Sequence, residues 1–232
     1  MTRRALLLTC EHGGARVPAR YRTLFRTRAA REALRTHRGS DHGALALARG
    51  LQRLLKAPLY ESTVTRLLVD LNRSVGHPQL FSEFSKPLDP VERAALLARH
   101  YFPHRDAVES WIDNQVSRGH QVLHIGVHSF APRVDRRVRT ADVGLLYDPA
   151  REGELRLCRA WKAALLAVDP TLRVRRNYPF LGKADGFVTH LRAIFGPMKY
   201  LGIELEVNQA QLVESRQRQR MSRSIGQSLP RS

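Results

Sequence analysis

The chain has 232 residues, 43% hydrophobic and 26% charged, with 39 Lys plus Arg against 21 Asp plus Glu, a balance of +18. This composition excludes a disordered tail, and the longest apolar runs, Ala5–Thr9 and Ala163–Val168, are far too short to span a bilayer. The basic excess is mostly arginine, Lys occurring only at 56, 86, 162, 183 and 199, and the dense clusters Arg133–Arg139 and Arg216–Arg223 lack interleaved aromatics, so nucleic acid is set aside as a partner.

In chain order, Ala5–Cys10 reads as a buried strand feeding the glycine turn Glu11-His12-Gly13-Gly14. Residues 28–36 read as helical, and Asp41–Leu55 repeats Ala and Leu at helical spacing with Asp41 placed to cap it. Leu59–Val64 and Leu67–Leu71 read as strands, and Pro87–Arg118 as a long helical region starting near Asp89. Gln121–Val127 and Val143–Tyr147 read as strands, Glu152–Ala167 as a helix, and Leu172–Arg175 as a strand. A short helix at Val188–Phe195 and an alternating final strand at Tyr200–Val207 follow, and from Gln209 a polar helix fraying into a tail. Strands alternating with helices imply an α/β fold: a single three-layer domain with a mostly parallel or mixed central sheet flanked by helices. The catalytic domain is assigned to residues 1–210 and the Arg/Gln/Ser-rich segment, helical or disordered, to 211–232. Cys10 and Cys158 are far apart in the sequence and no export signal is visible, which points to a reduced, cytoplasmic protein.

In such sheets sites gather at the carboxyl ends of strands. His12 follows the first strand and His128 closes a central one, where His124, in phase with it, is structural or an outer partner. Two histidines plus one carboxylate form a common hydrolytic zinc site, and Asp41 is a candidate oxygen ligand, with the capping role as its competitor. His42 would point elsewhere. Glu204 and Glu206 share one face of the last strand, where a buried carboxylate serves as a general base or pairs with an arginine. In Arg66–Arg73, Arg73 offers a planar fork for a carboxylate and Asn72 an amide donor, unless Arg73 merely pairs with Asp70. His104 could face the cleft, and the loops Asn177–Gly182 and Ala184–Gly186 could close over a substrate. No P-loop, GxGxxG, HExxH or GxSxG motif occurs, and serine catalysis at Ser129 lacks an oxyanion pattern.

Leu8–Gly14, His37–Ala44, Thr65–Arg73, Tyr101–His104, Val127–Pro132, Val143–Tyr147 and Ile203–Gln209, taken in order, resemble the N-formylglutamate amidohydrolase family over about residues 5–210. The resemblance implies a phosphorylase/hydrolase-like fold similar to that of zinc carboxypeptidases and aspartoacylases. It also implies hydrolysis of a small anionic N-acyl amino acid, typically N-formyl-L-glutamate. In those relatives one HxxE turn supplies two ligands, but here Gly13, Gly14 and Ala15 follow His12, so the carboxylate comes from elsewhere: Asp41 first, Glu11 second. The expected site therefore has a divalent metal, Zn²⁺ first, on His12, Asp41 and His128. Glu206 is the base, with Glu204 its competitor, and Arg66 or His104 is the oxyanion donor. Asn72 and Arg73 clamp the substrate carboxylate, with Asp70 and Ser129 beside them. The alternatives are a peptidase-like amidase on another small acidic amide and a non-catalytic or nucleic-acid-binding member of the fold.

Overall fold

The computed structural model describes residues 3–230. Its core is a six-stranded sheet of β1 (Arg4–Cys10), β2 (Leu59–Glu61), β3 (Gln121–Phe130), β6 (Val143–Leu146), β7 (Val174–Arg176) and β8 (Tyr200–Asn208). The strand order is β2-β1-β3-β8-β6-β7, and β4 (Arg133–Val134) and β5 (Arg137–Val138) form a separate hairpin. The first four strands are parallel, and β6 runs antiparallel to β8 with β7 parallel to β6, so the sheet is mixed.

The alternation of each strand sorts its side chains into two layers. Leu8, Leu123, Ile125, Val127, Leu201, Ile203 and Leu205 pack on one face against α2 (Ala44–Leu55), α5 (Glu152–Val168) and α7 (Ser215–Ser228). Leu7, Val122 and Tyr200 face the other way, onto α4 (Phe102–Ser117) and α6 (Phe187–Ile194). His124 and His128 on β3, and Glu204 and Glu206 on β8, share the parity of that second face, and β3–β8 pairing sets His128 directly beside Glu206. A smaller apolar cluster (Tyr21, Phe25, Ala30, Ala33, Leu67–Leu71, Leu80, Leu96, Tyr101) lies outside both layers and includes residues of α1 (Arg28–Leu34) and α3 (Pro90–Leu96).

Four expectations are corrected. Leu67–Leu71 is a run of turns, its apolar residues filling the small cluster instead of a sheet. The second strand stops at Glu61, Val64 keeping only an isolated bridge to Arg16. The long helical region is interrupted by a π turn at Leu97–Tyr101. Asp41 does not cap α2: Gly43, at φ 81°, is the N-cap and makes no side-chain cap bond, which frees the Asp41 carboxylate. The segment after Gln209 forms α7, whose Met221 and Ile225 are buried in the α2/α5 layer. Among the described residues no helix is long and apolar enough to cross a membrane.

Candidate functional site

At the carboxyl ends of β1 and β3 and along β8, His12, Asp41, His128, Glu204 and Glu206 line one cleft of ≈ 710 Å³. His12 reaches it because the turn after β1 passes tightly under residues 62 and 63. A Cβ on Gly13 would lie 2.8 Å from the Ser62 carbonyl, and one on Gly14 2.7 Å from that of Thr63. Backbone proximity is what requires these glycines.

One donor atom from each of His12, Asp41 and His128 lies within 4.8 Å of the other two, and all three residues are buried. Asp41 Oδ2 stands 3.4 Å from His12 Nδ1 and 3.0 Å from His128 Nδ1. The outer nitrogens face other carboxylates. His12 Nε2 meets Asp70 Oδ1 at 2.7 Å, and His128 Nε2 lies 3.4 Å from Glu11 Oε2. Both rings thus present Nδ1 inward, and that of His12 has no hydrogen-bond partner. A neutral imidazole held through its outer N–H by a carboxylate is the usual arrangement of a metal-ligating histidine. The donor set fits a small divalent cation.

Burial pushes His128 down, but the Asp41 hydrogen bond and the charges of Asp41, Glu11 and Glu206 outweigh it and raise its pKa to about 10. His12 is also raised: Asp70 and Asp41 overcome burial and the nearby Arg66 charge. Asp41 is held well below the usual carboxylate range despite burial, chiefly by His12 and His128. Glu206 moves the other way. Burial raises it to about 8, with Asp41 and Glu204 adding to the shift against the pull of His128 and Arg66. Its Oε2 is buried without a partner.

The opposite wall comes from the segment between β2 and α3. Arg66 donates Nε and Nη2 to Asp70 Oδ2 at 3.1 and 2.7 Å, and its Nη1 lies 3.4 Å from Asp41 Oδ1. Asn72 Nδ2 donates to Glu204 Oε1 at 2.9 Å, while its Oδ1 accepts the Phe187 amide. Glu204 is therefore committed to Asn72, and Glu206 is left free. Arg73 donates Nη1 to the Asp185 carbonyl at 2.7 Å, and its Nε is buried without a partner.

Three further expectations change. Asp70 does not pair with Arg73 or line the cleft; it is consumed by His12, Arg66 and the Asn72 amide. His104 is also absent from the cleft lining, its Nε2 lying 3.6 Å from Glu11 Oε1 behind His128. Glu11 sits at the outer nitrogen of His128, outside the His12–Asp41–His128 group. Ser129 lines the cleft, but its hydroxyl donates to the His42 carbonyl and its amide lies 3.4 Å from Asp41 Oδ2, so it positions Asp41. His42 itself is exposed.

Sequence reading missed His37 and Arg139, which also line the cleft. Arg139 follows the β4–β5 hairpin and stacks over the Phe180 ring at 5.1 Å. Its signal, membership of the Arg133–Arg139 cluster, is indistinguishable in sequence from a solvated basic stretch. Phe180, Leu181, Ala184 and Asp185 form the outer rim, on the two loops expected to cover a substrate.

The structure resembles that of a gene product of Agrobacterium tumefaciens, at 28% identity and a TM-score of 0.79, with 98% of this chain and 91% of that one covered. It also resembles the N-formylglutamate amidohydrolase from Ralstonia eutropha JMP134 in fold, at 20% identity and a TM-score of 0.72, covering 99% and 92%. No curated protein matches the chain. The N-formylglutamate amidohydrolase family matches residues 4–213, nearly the full length. The chain belongs to the N-formylglutamate amidohydrolase family and is a hydrolase of that type.

Proposed function

We propose that the protein hydrolyses the amide of a small N-acyl acidic amino acid, N-formyl-L-glutamate first, using a divalent cation, Zn²⁺ first, held by His12, Asp41 and His128. The observation that carries this is the pairing, in one cleft, of three convergent metal donors with an unpartnered arginine nitrogen, Arg73 Nε, on the facing wall. Bound at those donors, a divalent cation would supply Lewis acidity, acidifying water and polarising an amide carbonyl.

The remaining work falls to the chain. Arg73 holds the substrate carboxylate as a charge-assisted pair, and Asn72 braces the wall by tying Glu204 to the Phe187 amide. Glu206 takes a proton from the attacking water and returns it to the leaving amine. Burial raises its pKa to about 8, and a dication held beside it would lower that value and favour the carboxylate that accepts the proton. Arg66, which lines the cleft, faces the developing oxyanion. Arg139 adds positive charge at the cleft and favours a second anionic group on the substrate, while His37, its pKa pushed down by burial and by Arg139 and Arg66, offers a neutral imidazole.

The test is release of the free amino acid from N-formyl-L-glutamate against N-formyl-L-glutamine, N-acetyl-L-glutamate and N-succinyl amino acids, with elemental analysis of the protein. The expected result is preference for N-formyl-L-glutamate, about one zinc per chain, and loss of both metal and activity in His12→Ala/His128→Ala. Hydrolysis that survives complete metal removal, or no metal after reconstitution, overturns the mechanism.

A further inference from the structure

Glu11 is 2% exposed, and neither of its carboxylate oxygens has a partner aligned in full hydrogen-bond geometry. A buried carboxylate is costly unless it is paired. Two imidazoles approach it, His128 Nε2 at 3.4 Å from Oε2 and His104 Nε2 at 3.6 Å from Oε1, and the Thr9 side chain is also close by. His104 Nε2 is likewise buried without another partner. Glu204 Oε1, the other carboxylate oxygen near His128 Nε2, is farther away at 4.0 Å and already accepts from Asn72.

The arrangement repeats what surrounds His12. There, Nε2 meets the Asp70 carboxylate, and Asp70 is backed by the Arg66 guanidinium. Each imidazole therefore turns Nδ1 toward Asp41 and its outer nitrogen toward a carboxylate, and each carboxylate has a nitrogen donor behind it: Arg66 in one case, His104 in the other. The second pair is assembled from distant elements. Glu11 directly follows β1, and His104 lies in the first turn of α4, just after the π turn at Leu97–Tyr101. The same stretch grips the site wall, Tyr101 at the end of the π turn donating its hydroxyl to the Arg73 carbonyl and Arg105 on α4 donating to that of Leu71.

We propose that Glu11 and His104 are a positioning pair for His128. Glu11 accepts the Nε2–H of His128, which fixes the tautomer that leaves the Nδ1 lone pair for the metal, and His104 donates to the far oxygen of Glu11 and holds it in place. This rests on the metal reading of the site given above. Glu11 is not itself a ligand, because it addresses the ring nitrogen opposite the one that faces Asp41.

The experiment is zinc affinity by chelator competition, together with the visible spectrum of the Co²⁺-substituted protein, in wild type, Glu11→Gln, His104→Leu and His104→Gln. Wild type must bind zinc; if it does not, the metal reading fails before any variant is considered. With that established, Glu11→Gln is expected to keep its circular dichroism, weaken zinc binding about 10- to 100-fold and shift the Co²⁺ bands. His104→Leu weakens binding in the same direction, and His104→Gln, which retains an N–H donor, recovers most of it. Zinc affinity within about twofold of wild type and an unchanged Co²⁺ spectrum in a folded Glu11→Gln overturn the pair. Should Glu11→Gln not fold, the His104 variants decide, and equal affinity in Leu and Gln overturns it.

Discussion

His12 lies in the turn after β1 and His128 among the last residues of β3, and different contacts orient each: Asp70 with Arg66 around one, Glu11 with His104 around the other. At this scale the two glutamates of β8 separate as well. Glu204 Oε1 accepts from Asn72, whereas Glu206 Oε2 has no partner, which is why the proposed mechanism gives proton transfer to Glu206. Glu206→Gln is expected to retain zinc and lower kcat by about 10²- to 10⁴-fold, measured as formate release beside metal content. Arg73→Lys keeps one donor for the Asp185 carbonyl but loses the planar fork. It should raise KM for N-formyl-L-glutamate about tenfold or more with a smaller change in kcat, and an unchanged KM would remove Arg73 from substrate binding.

Among elements, α7 is the one whose packing the sequence leaves open. Its polar composition suggests solvent, yet Met221 and Ile225 are buried against α2 and α5. Met221→Ala is expected to cost about 2–5 kcal/mol in urea unfolding. Zinc content should stay unchanged, because α7 lies on the sheet face away from His128 and Glu206. The strand leading to His12 was legible as a short apolar run closed by a glycine turn, and the one carrying Glu204 and Glu206 by its alternation. Leu67–Leu71 was not legible as a turn. A short apolar run reads the same whether it fills a sheet or a satellite cluster. Partners such as Glu11 with His104, or Asp70 with His12, were equally hidden, since residues 93 and 58 positions apart meet only through the fold.

For the whole molecule, three carboxylates, Asp41, Asp70 and Glu11, are held anionic around Arg66 and two histidines whose pKa values are raised. A metal ligand must be deprotonated, so zinc competes with protons on His12 and His128. Below the raised value of about 10 for His128, binding expels that proton, and apparent affinity therefore rises with pH. Between pH 6 and 8 the zinc Kd should fall about tenfold per pH unit for each proton displaced, and calorimetry in buffers of different ionisation enthalpy should count those protons. A pH-independent Kd over that range would mean that zinc displaces no proton there and would contradict the raised pKa values of His12 and His128.

The small cluster beside the sheet has a consequence for how the cleft holds together. Between Glu61 and Pro90 the chain forms neither helix nor strand, yet this stretch carries Arg66, Asp70, Asn72 and Arg73 and rests on Tyr21, Phe25 and Leu96. The catalytic groups thus face each other across a seam between two separately packed bodies, a broad sheet and a modest pad. Openings confined to the pad would dismantle half the site while leaving every strand paired. In the mechanism proposed above, a substrate held by Arg73 on the pad and reaching His12, Asp41 and His128 on the other side would act as a staple across that seam, so the site would be most completely assembled when it is occupied.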